Sequence, residues 1–314
     1  MAVTTPGEAA RSGAKVARVK WRPLEDERWL AVVLLLPTIV LLGLFIAYPF
    51  VKGIILAVTD ARVGIPGQFV GLENFERLMN DPIFKLVVWN TCWYTFVTTI
   101  FKLALGLWLA LLLNRNFKFK AFTRAFILLP FIIPTVLSTF AWKWMFDPTF
   151  SVLNWLLFKV GIIGRYGGLN WLGDGNLAMW SIIIVNIWRG VPFFAISLLA
   201  GLQTISPDLN EAAAIDGAKP WQRFIHITWP LLLPVTMVVV LFSVIQTFAD
   251  FQIVYVMTGG GPANATHLFA TYAYQLGVGT GLLSQGAAIS LAMFPILFAI
   301  VIVQLLYIRR VETR

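Results

Sequence analysis

Residues 227–257 read ITWPLLLPVTMVVVLFSVIQTFADFQIVYVM, a stretch with one charged side chain, Asp250. A helix needs about 20 mostly apolar residues to cross roughly 30 Å of hydrocarbon, and this run exceeds that. Runs of the same kind lie on either side, at Trp29–Val51, Val87–Leu113, Phe122–Phe146, Leu177–Ala200 and Leu283–Tyr307. With 59% hydrophobic and 12% charged residues, the chain is far outside the balance of a soluble domain. The pattern predicts an all-α, polytopic membrane protein: six spans over residues 29–314, preceded by a polar, disordered tail at 1–28.

The first run is longer than a signal peptide and is followed by further spans, so it reads as an uncleaved helix. The single cysteine, Cys92, excludes an intrachain disulfide framework. A formal charge of +9 invites a nucleic-acid reading, but the basic residues are placed for topology. Arg11, Lys15, Arg18, Lys20, Arg22 and Arg28 precede the first run, and Arg115, Lys118, Lys120 and Arg124 join the second to the third. Lys219 and Arg223 join the fourth to the fifth, and Arg309, Arg310 and Arg314 follow the sixth. Six alternating spans put all of these on one side, which the positive-inside rule makes cytoplasmic, with both termini. The partner of that charge is then anionic lipid, and no nucleic acid is expected. The opposite connections, 60–84 and 147–176, are longer and rich in Gly and Pro, which suits either plain connectors or a surface touched by another protein. Pro130 and Pro134 in the third run and Pro192 in the fourth predict bends, since proline lacks an N–H and clashes with the preceding turn.

The loop between the fourth and fifth runs, SPDLNEAAAIDGAKPW at 206–221, spells out a short helix. Ser206 is an N-cap, Pro207 suits the first helical position, and Asp208 and Glu211 favour the positive end of the dipole. Gly217 is fit for the left-handed residue that ends a helix, and Pro220 opens a second one. Glu211, Ala212 and Ala213, then Gly217, Ile227 and Pro230 at their spacing resemble the "EAA" loop of binding-protein-dependent ABC importer permeases. Six specified positions should coincide by chance in about one chain in ten thousand or fewer. Trp229 departs from the usual leucine and is still large and apolar.

The resemblance implies that 206–230 is a cytoplasmic coupling loop seated in a separate ATP-hydrolysing subunit. Glu211 would then supply a charged contact, Ala212 and Ala213 the packing surface, and Asp216 and Gly217 the terminating bend. No G-x-x-x-x-G-K-[ST] run occurs, so ATP and Mg are expected in partner ATPase subunits and no cofactor on this chain, which is not an enzyme. His226 and His267 stand in no catalytic or metal-binding spacing.

Three phrases are most similar to the maltose and glycerol-3-phosphate branch of that family: WRGVPFF at 188–194, AGLQ at 200–203 and TGGGPANAT at 258–266. The resemblance implies a plasma (inner) membrane permease that imports a sugar or sugar-like solute. Its expected companions are a second homologous permease, two ATPases and an extracytoplasmic solute-binding protein. That last partner would meet Gly259, Gly260, Gly261 and Pro262, which by themselves specify a tight, exposed turn.

Polar groups inside the spans mark a candidate solute path, because they are costly in lipid. Thr91, Thr95, Thr98 and Lys102 share one helix face, Ser243, Gln246 and Asp250 another, and Asn186 and Arg189 lie a turn apart. Trp142, Trp188 and Tyr255 could cover sugar C–H faces. The competing reading is that these groups pack helices together or neutralise one another. Trp29, Tyr48, Trp89, Trp180 and Tyr307 fall near span ends as interface anchors. The alternative function is a secondary, ion-coupled transporter, which predicts an internal repeat and gives the coupling loop no role. A membrane-embedded enzyme would need paired carboxylates or a His cluster, and neither is visible.

Overall fold

The computed structural model describes residues 27–165 and 167–312; the predicted tail at 1–28 lies outside these except for its last two residues. The chain divides into two compact units, 1–52 and 53–314. The first carries α1 (Glu27–Leu42) and a wide turn at Gly43–Ala47, after which helical residues continue as α2 (Tyr48–Ala57). Leu34, Ile39, Leu44 and Phe45 are exposed on successive turns, so this helix is apolar on every side.

The second unit continues with α3 (Glu73–Asn80), α4 (Pro82–Asn114), α5 (Lys120–Ile132), α6 (Thr135–Met145) and α7 (Val152–Lys159). Then come α8 (Gly175–Gln203), α9 (Pro207–Ile215), α10 (Pro220–Arg223), α11 (Trp229–Phe248), α12 (Gln252–Met257), α13 (Phe269–Tyr274) and α14 (Leu283–Glu312). Among the described residues, five helical stretches are long and apolar enough to cross a membrane: Trp29–Ala57, Pro82–Asn114, Gly175–Gln203, Pro220–Phe248 and Leu283–Tyr307. The pair α5 and α6 makes a sixth if taken as one span.

Two expected spans differ from straight rods. The third turns by 88° between α5 and α6. Pro134 has no N–H to continue α5 and drives Ile133 out of the helical region, to φ −62° and ψ 132°. Pro130 lies inside α5 and Pro192 inside α8, and neither ends its helix. The fifth span was expected to run unbroken to Met257; instead α11 stops at Phe248, and α12 begins only at Gln252. Phe251 at φ −112° and ψ −46° lies in that break, beside Asp250.

Close packing explains which helices touch. α4 lies along α8, and a Cβ added at Gly106 of α4 would sit 2.3 Å from the Cβ of Phe194, so only glycine permits this approach. α8 meets α11 at Gly201, against Leu232 and Val235. Tyr94, Ile182, Ile183, Val254 and Met257 form one buried cluster, and Ala110, Phe194, Leu198 and Leu232 another. In lipid such interfaces are held by dispersion and cross-helix hydrogen bonds rather than by the hydrophobic effect, so small residues and buried polar groups carry the specificity.

Candidate functional site

A cavity of about 670 Å³ opens where α4, α8 and α11 converge on the broken segment 249–251. Its walls include six of the nine polar residues singled out from sequence, Lys102, Asn186, Arg189, Ser243, Gln246 and Asp250, while Thr91, Thr95 and Thr98 do not line it. Their spacing on each helix placed them on single faces; the packing of α4 on α8 and of α11 on both turns those faces toward one space.

The polar groups form a chain of hydrogen bonds across three helices. Lys102 Nζ donates to Asn186 Oδ1 at 2.9 Å and to Thr247 Oγ1 at 2.7 Å. Asn186 Nδ2 donates to Asp250 Oδ2 at 3.0 Å, and Tyr94 OH donates to the same oxygen at 2.7 Å. Asp250 Oδ1 accepts from the backbone N–H of Ile253 at 3.3 Å, so this carboxylate also ties down the first turn of α12. Asn186 thus stands between the ammonium of Lys102 and the carboxylate of Asp250, relaying rather than contacting charge to charge. Gly190 makes room for this: a Cβ there would lie 2.2 Å from Lys102 Cδ. Arg189 differs from Lys102, for its Nε is buried without a hydrogen-bond partner, and no carboxylate among the described residues lies within ion-pair distance.

The competing readings therefore divide residue by residue. Lys102 and Asp250 are linked through Asn186, as the packing reading required, yet they also border open space. Two of the threonines of α4 hold structure: Thr98 Oγ1 donates to Tyr94 O, and Thr91 Oγ1 donates to Val87 O while accepting from Phe269 N, whereas Thr95 Oγ1 is buried without a partner. Trp142 and Trp188 pack against each other with ring centroids 5.5 Å apart and do not line the cavity; Tyr255 stacks on Phe251 at 4.8 Å. The aromatic wall is made instead by Phe131, Phe193, Phe194, Phe242 and Phe251. Sequence reasoning missed these, along with Thr247 and Tyr94. Thr247 follows Gln246 directly and could have been found by its place beside that face; for Tyr94 and the phenylalanines no signal separated them from other apolar positions.

The loop at 206–221 folds as its punctuation predicted. Ser206 Oγ accepts from Asp208 N at 3.3 Å, Pro207 opens α9, and Gly217 takes φ +83° immediately after Asp216. Arg223 reaches back to Asn210 O at 3.3 Å, and Lys219 N is capped by Gln222 Oε1 at 2.8 Å, so the two short helices form one bracket. Glu211, Ala212, Asp216 and Gly217 are exposed, Ala213 is half-buried, and Ile215 shows 87% of its surface. Trp229 opens α11 and packs on Phe224 with ring centroids 6.3 Å apart.

Residues 102–313 match the family described as "Binding-protein-dependent transport system inner membrane component". The chain belongs to that family. This permease is 37% identical over 292 residues to the sulfoquinovosyl glycerol transport system permease protein SmoG of Agrobacterium fabrum, covering 92% of this chain and 93% of the relative. It is 34% identical over 290 residues to the trehalose/maltose transport system permease protein MalF of Thermococcus litoralis, covering 92% and 95%. Its fold is similar to that of a chain in a bacterial ABC transporter involved in importing the acidic polysaccharide alginate, at a TM-score of 0.79, 23% identity, and coverage of 92% and 98%.

The glycine-rich segment of the permease is less open than its composition suggested. Gly259 is exposed, but Gly260 is buried and Gly261 and Pro262 are half-buried. Gly259 and Gly260 have φ of +62° and +95°, and a Cβ on Gly260 would fall 2.0 Å from the ring of His267. Thr266 Oγ1 donates to Gly261 O at 2.6 Å, and Asn90 of α4 donates to Ala265 O at 2.9 Å. The loop is thus locked onto α4, and burial holds the His267 imidazole below its usual pKa.

Proposed function

We propose that this permease moves a sugar or sugar derivative into the cell, driven by ATP hydrolysis in two separate ATPase subunits, beside a second homologous permease. The observation that carries the proposal is the cavity. Its 670 Å³ is the size of a small-ligand site, and its lining combines hydrogen-bonding groups with five phenylalanines. Hydroxyls need the first kind of wall and sugar C–H faces the second. The names of the relatives SmoG and MalF, both of sugar transport systems, support the same solute class.

In this reading residues 206–230 face the cytoplasm, as do both termini. Glu211, Ala212, Ala213, Asp216 and Gly217 engage an ATPase, which alone binds ATP and Mg. Of the segment Gly259, Gly260, Gly261 and Pro262, the exposed Gly259 and half-buried Gly261 and Pro262 meet an extracytoplasmic binding protein while buried Gly260 only shapes the turn; a solved relative of the same fold is an alginate transporter in complex with alginate pentasaccharide-bound periplasmic protein, which supports that kind of partner. Closure of the ATPases pulls the rigid bracket of α9 and α10, and α11 transmits the movement to the break at Asp250. An ion-coupled carrier has no use for such a bracket.

The test is ATP hydrolysis by the complex purified through this chain, reconstituted with its binding protein and challenged with sugars, polyols and glycerol phosphates. Stimulation by a sugar class is the expected result. ATPase that responds to a non-sugar alone would overturn the solute class, and no ATPase at all would overturn the mechanism.

A further inference from the structure

Among the titratable groups that line the cavity, the charges do not balance. Lys102 and Asp250 are joined through Asn186, and both carboxylate oxygens of Asp250 are already accepting, from Tyr94, Asn186 and Ile253. Arg189 remains. Its guanidinium borders the same cavity, its Nε is buried with no acceptor, and the described residues bring no carboxylate within ion-pair distance. Lys102 spends two of its three N–H groups on Asn186 and Thr247, leaving one uncommitted. Ser243 Oγ, a turn away from Gln246, is buried and also without a partner. Two cations therefore share one carboxylate, whose charge acts on Arg189 without an ion-pair contact, and intramembrane cations that persist pair with something.

From this imbalance we infer that the transported solute carries an anionic group, a carboxylate, sulfonate or phosphate, and that Arg189 is the residue that receives it. The inference rests on the sugar reading above and narrows it to acidic sugars. A planar guanidinium presents paired donors to two oxygens of such a group, which an ammonium or an amide cannot do. The remaining Lys102 proton and the hydroxyl of Ser243 supply further donors from α4 and α11. Asp250 lies in the same cavity and would repel the anion if it were free. Its engagement by three donors, with Lys102 behind Asn186, keeps that repulsion small and leaves the Arg189 side as the favourable end. The phenylalanines then cover the sugar ring, so orientation is set by placing the charged end toward α8.

The experiment uses the full complex in proteoliposomes with its binding protein. The probes are methyl glucuronide, a methyl 6-sulfo-glucoside, methyl glucoside 6-phosphate and neutral methyl glucoside. Uptake and solute-stimulated ATPase are measured for the parent, for Arg189→Gln and for Arg189→Lys. The expected result is a preference for one acidic probe over the neutral one, an approximately 10- to 100-fold loss of that uptake in Arg189→Gln, and partial recovery in Arg189→Lys, as for loss of a charge-assisted hydrogen bond. Equal or better handling of the neutral sugar would overturn the inference and leave sugar import standing. Failure of every sugar would overturn both. Loss of the second permease from purified Arg189→Gln complex, restored in Arg189→Lys, would assign the missing anion to that subunit and overturn the inference as well.

Discussion

The cavity and the bracket at 206–221 are built on opposite principles. In the bracket the contacts are close along the chain: Ser206 caps Asp208, Gln222 caps Lys219, Gly217 ends α9 within two residues of its last turn, and the longest link, Arg223 to Asn210, spans 13 residues. In the cavity every decisive contact is distant along the chain: Tyr94 meets Asp250, Lys102 meets Thr247, and Asn186 meets both partners. The bracket is exposed and can be rebuilt by its own residues. The cavity exists only when α4, α8 and α11 are assembled, so one substitution there reaches three helices. The same change of one side chain should therefore be costly in stability at the cavity, and costly in coupling but not in stability at the bracket.

The sharpest break of that contrast is Lys102→Met. It leaves Asn186 Oδ1 and Thr247 Oγ1 without their donor and the half-buried Asp250 without the cation behind the relay, and leaving buried acceptors unsatisfied costs about 1–3 kcal/mol. The expected outcome is a complex that loses its monodisperse peak in detergent at temperatures the parent withstands. Lys102→Met with Asp250→Asn should recover part of the lost thermal midpoint, since Asp250 is then no longer a carboxylate without Lys102. A single variant as stable as the parent would show that the Asn186 relay is not what holds the charges.

Gly190→Ala should come next. The added methyl meets the stem of Lys102, which must give way, and such overpacking costs about 1–3 kcal/mol. A lowered thermal midpoint, relieved when Lys102→Met is added, is the expected pair of results. An unchanged midpoint would mean that the Lys102 stem has another route, and the cavity would then be softer than the network implies.

At the bracket, Gly217→Val reverses the pattern. No neighbouring atom lies within 4 Å of the position a Cβ would take, so the penalty is not steric crowding but the φ of +83°. A β-branched residue there costs about 1–3 kcal/mol of local strain, spent on distorting the end of α9. Uptake should fall about tenfold with the thermal midpoint unchanged, and Gly217→Asn should fall less, because asparagine tolerates the left-handed region. Parallel loss of stability would erase the distinction between the two regions.

What could be read in advance follows the same division. The cap, the proline at the first helical position and the terminating glycine of α9 were all legible, because each acts on backbone groups a few residues away. Four long spans were legible from hydropathy alone. The 88° turn at Pro134 was visible only as a bend, since its size depends on what α5 and α6 pack against. The break at 249–251 was hidden because apolar residues flank it on both sides; Asp250 looked like the last member of a polar stripe on a continuous helix rather than the residue that stitches two helices. The stripes on α4, α8 and α11 could be drawn, but not that they face one space, and nothing distinguished Phe131 or Phe242 from residues that face lipid. Hydropathy gives the number of walls; which side chains meet depends on glycine contacts such as Gly106 against Phe194, and no single helix contains that information.

The smallest expected effect is at Ser206. Its hydroxyl both accepts from Asp208 N, at 3.3 Å, and donates to the Asp208 carboxylate, at 3.2 Å. The long distance puts the cap at the weak end of the range, so Ser206→Ala should cost about 0.5 kcal/mol of helix stability, all of it within α9. Pro207 still fixes the first turn, and the hydrogen bond from Arg223 to Asn210 still ties α9 to α10. Amide hydrogen exchange should quicken about twofold in residues 208–215 and nowhere else. Uptake should change by less than the effect of Gly217→Val. Faster exchange spreading into α8 or α11 would show that the bracket draws its rigidity from its own first turn and passes it on to the spans. Confinement to α9 would show that the bracket moves as a knob on a frame already set by the helices around the cavity.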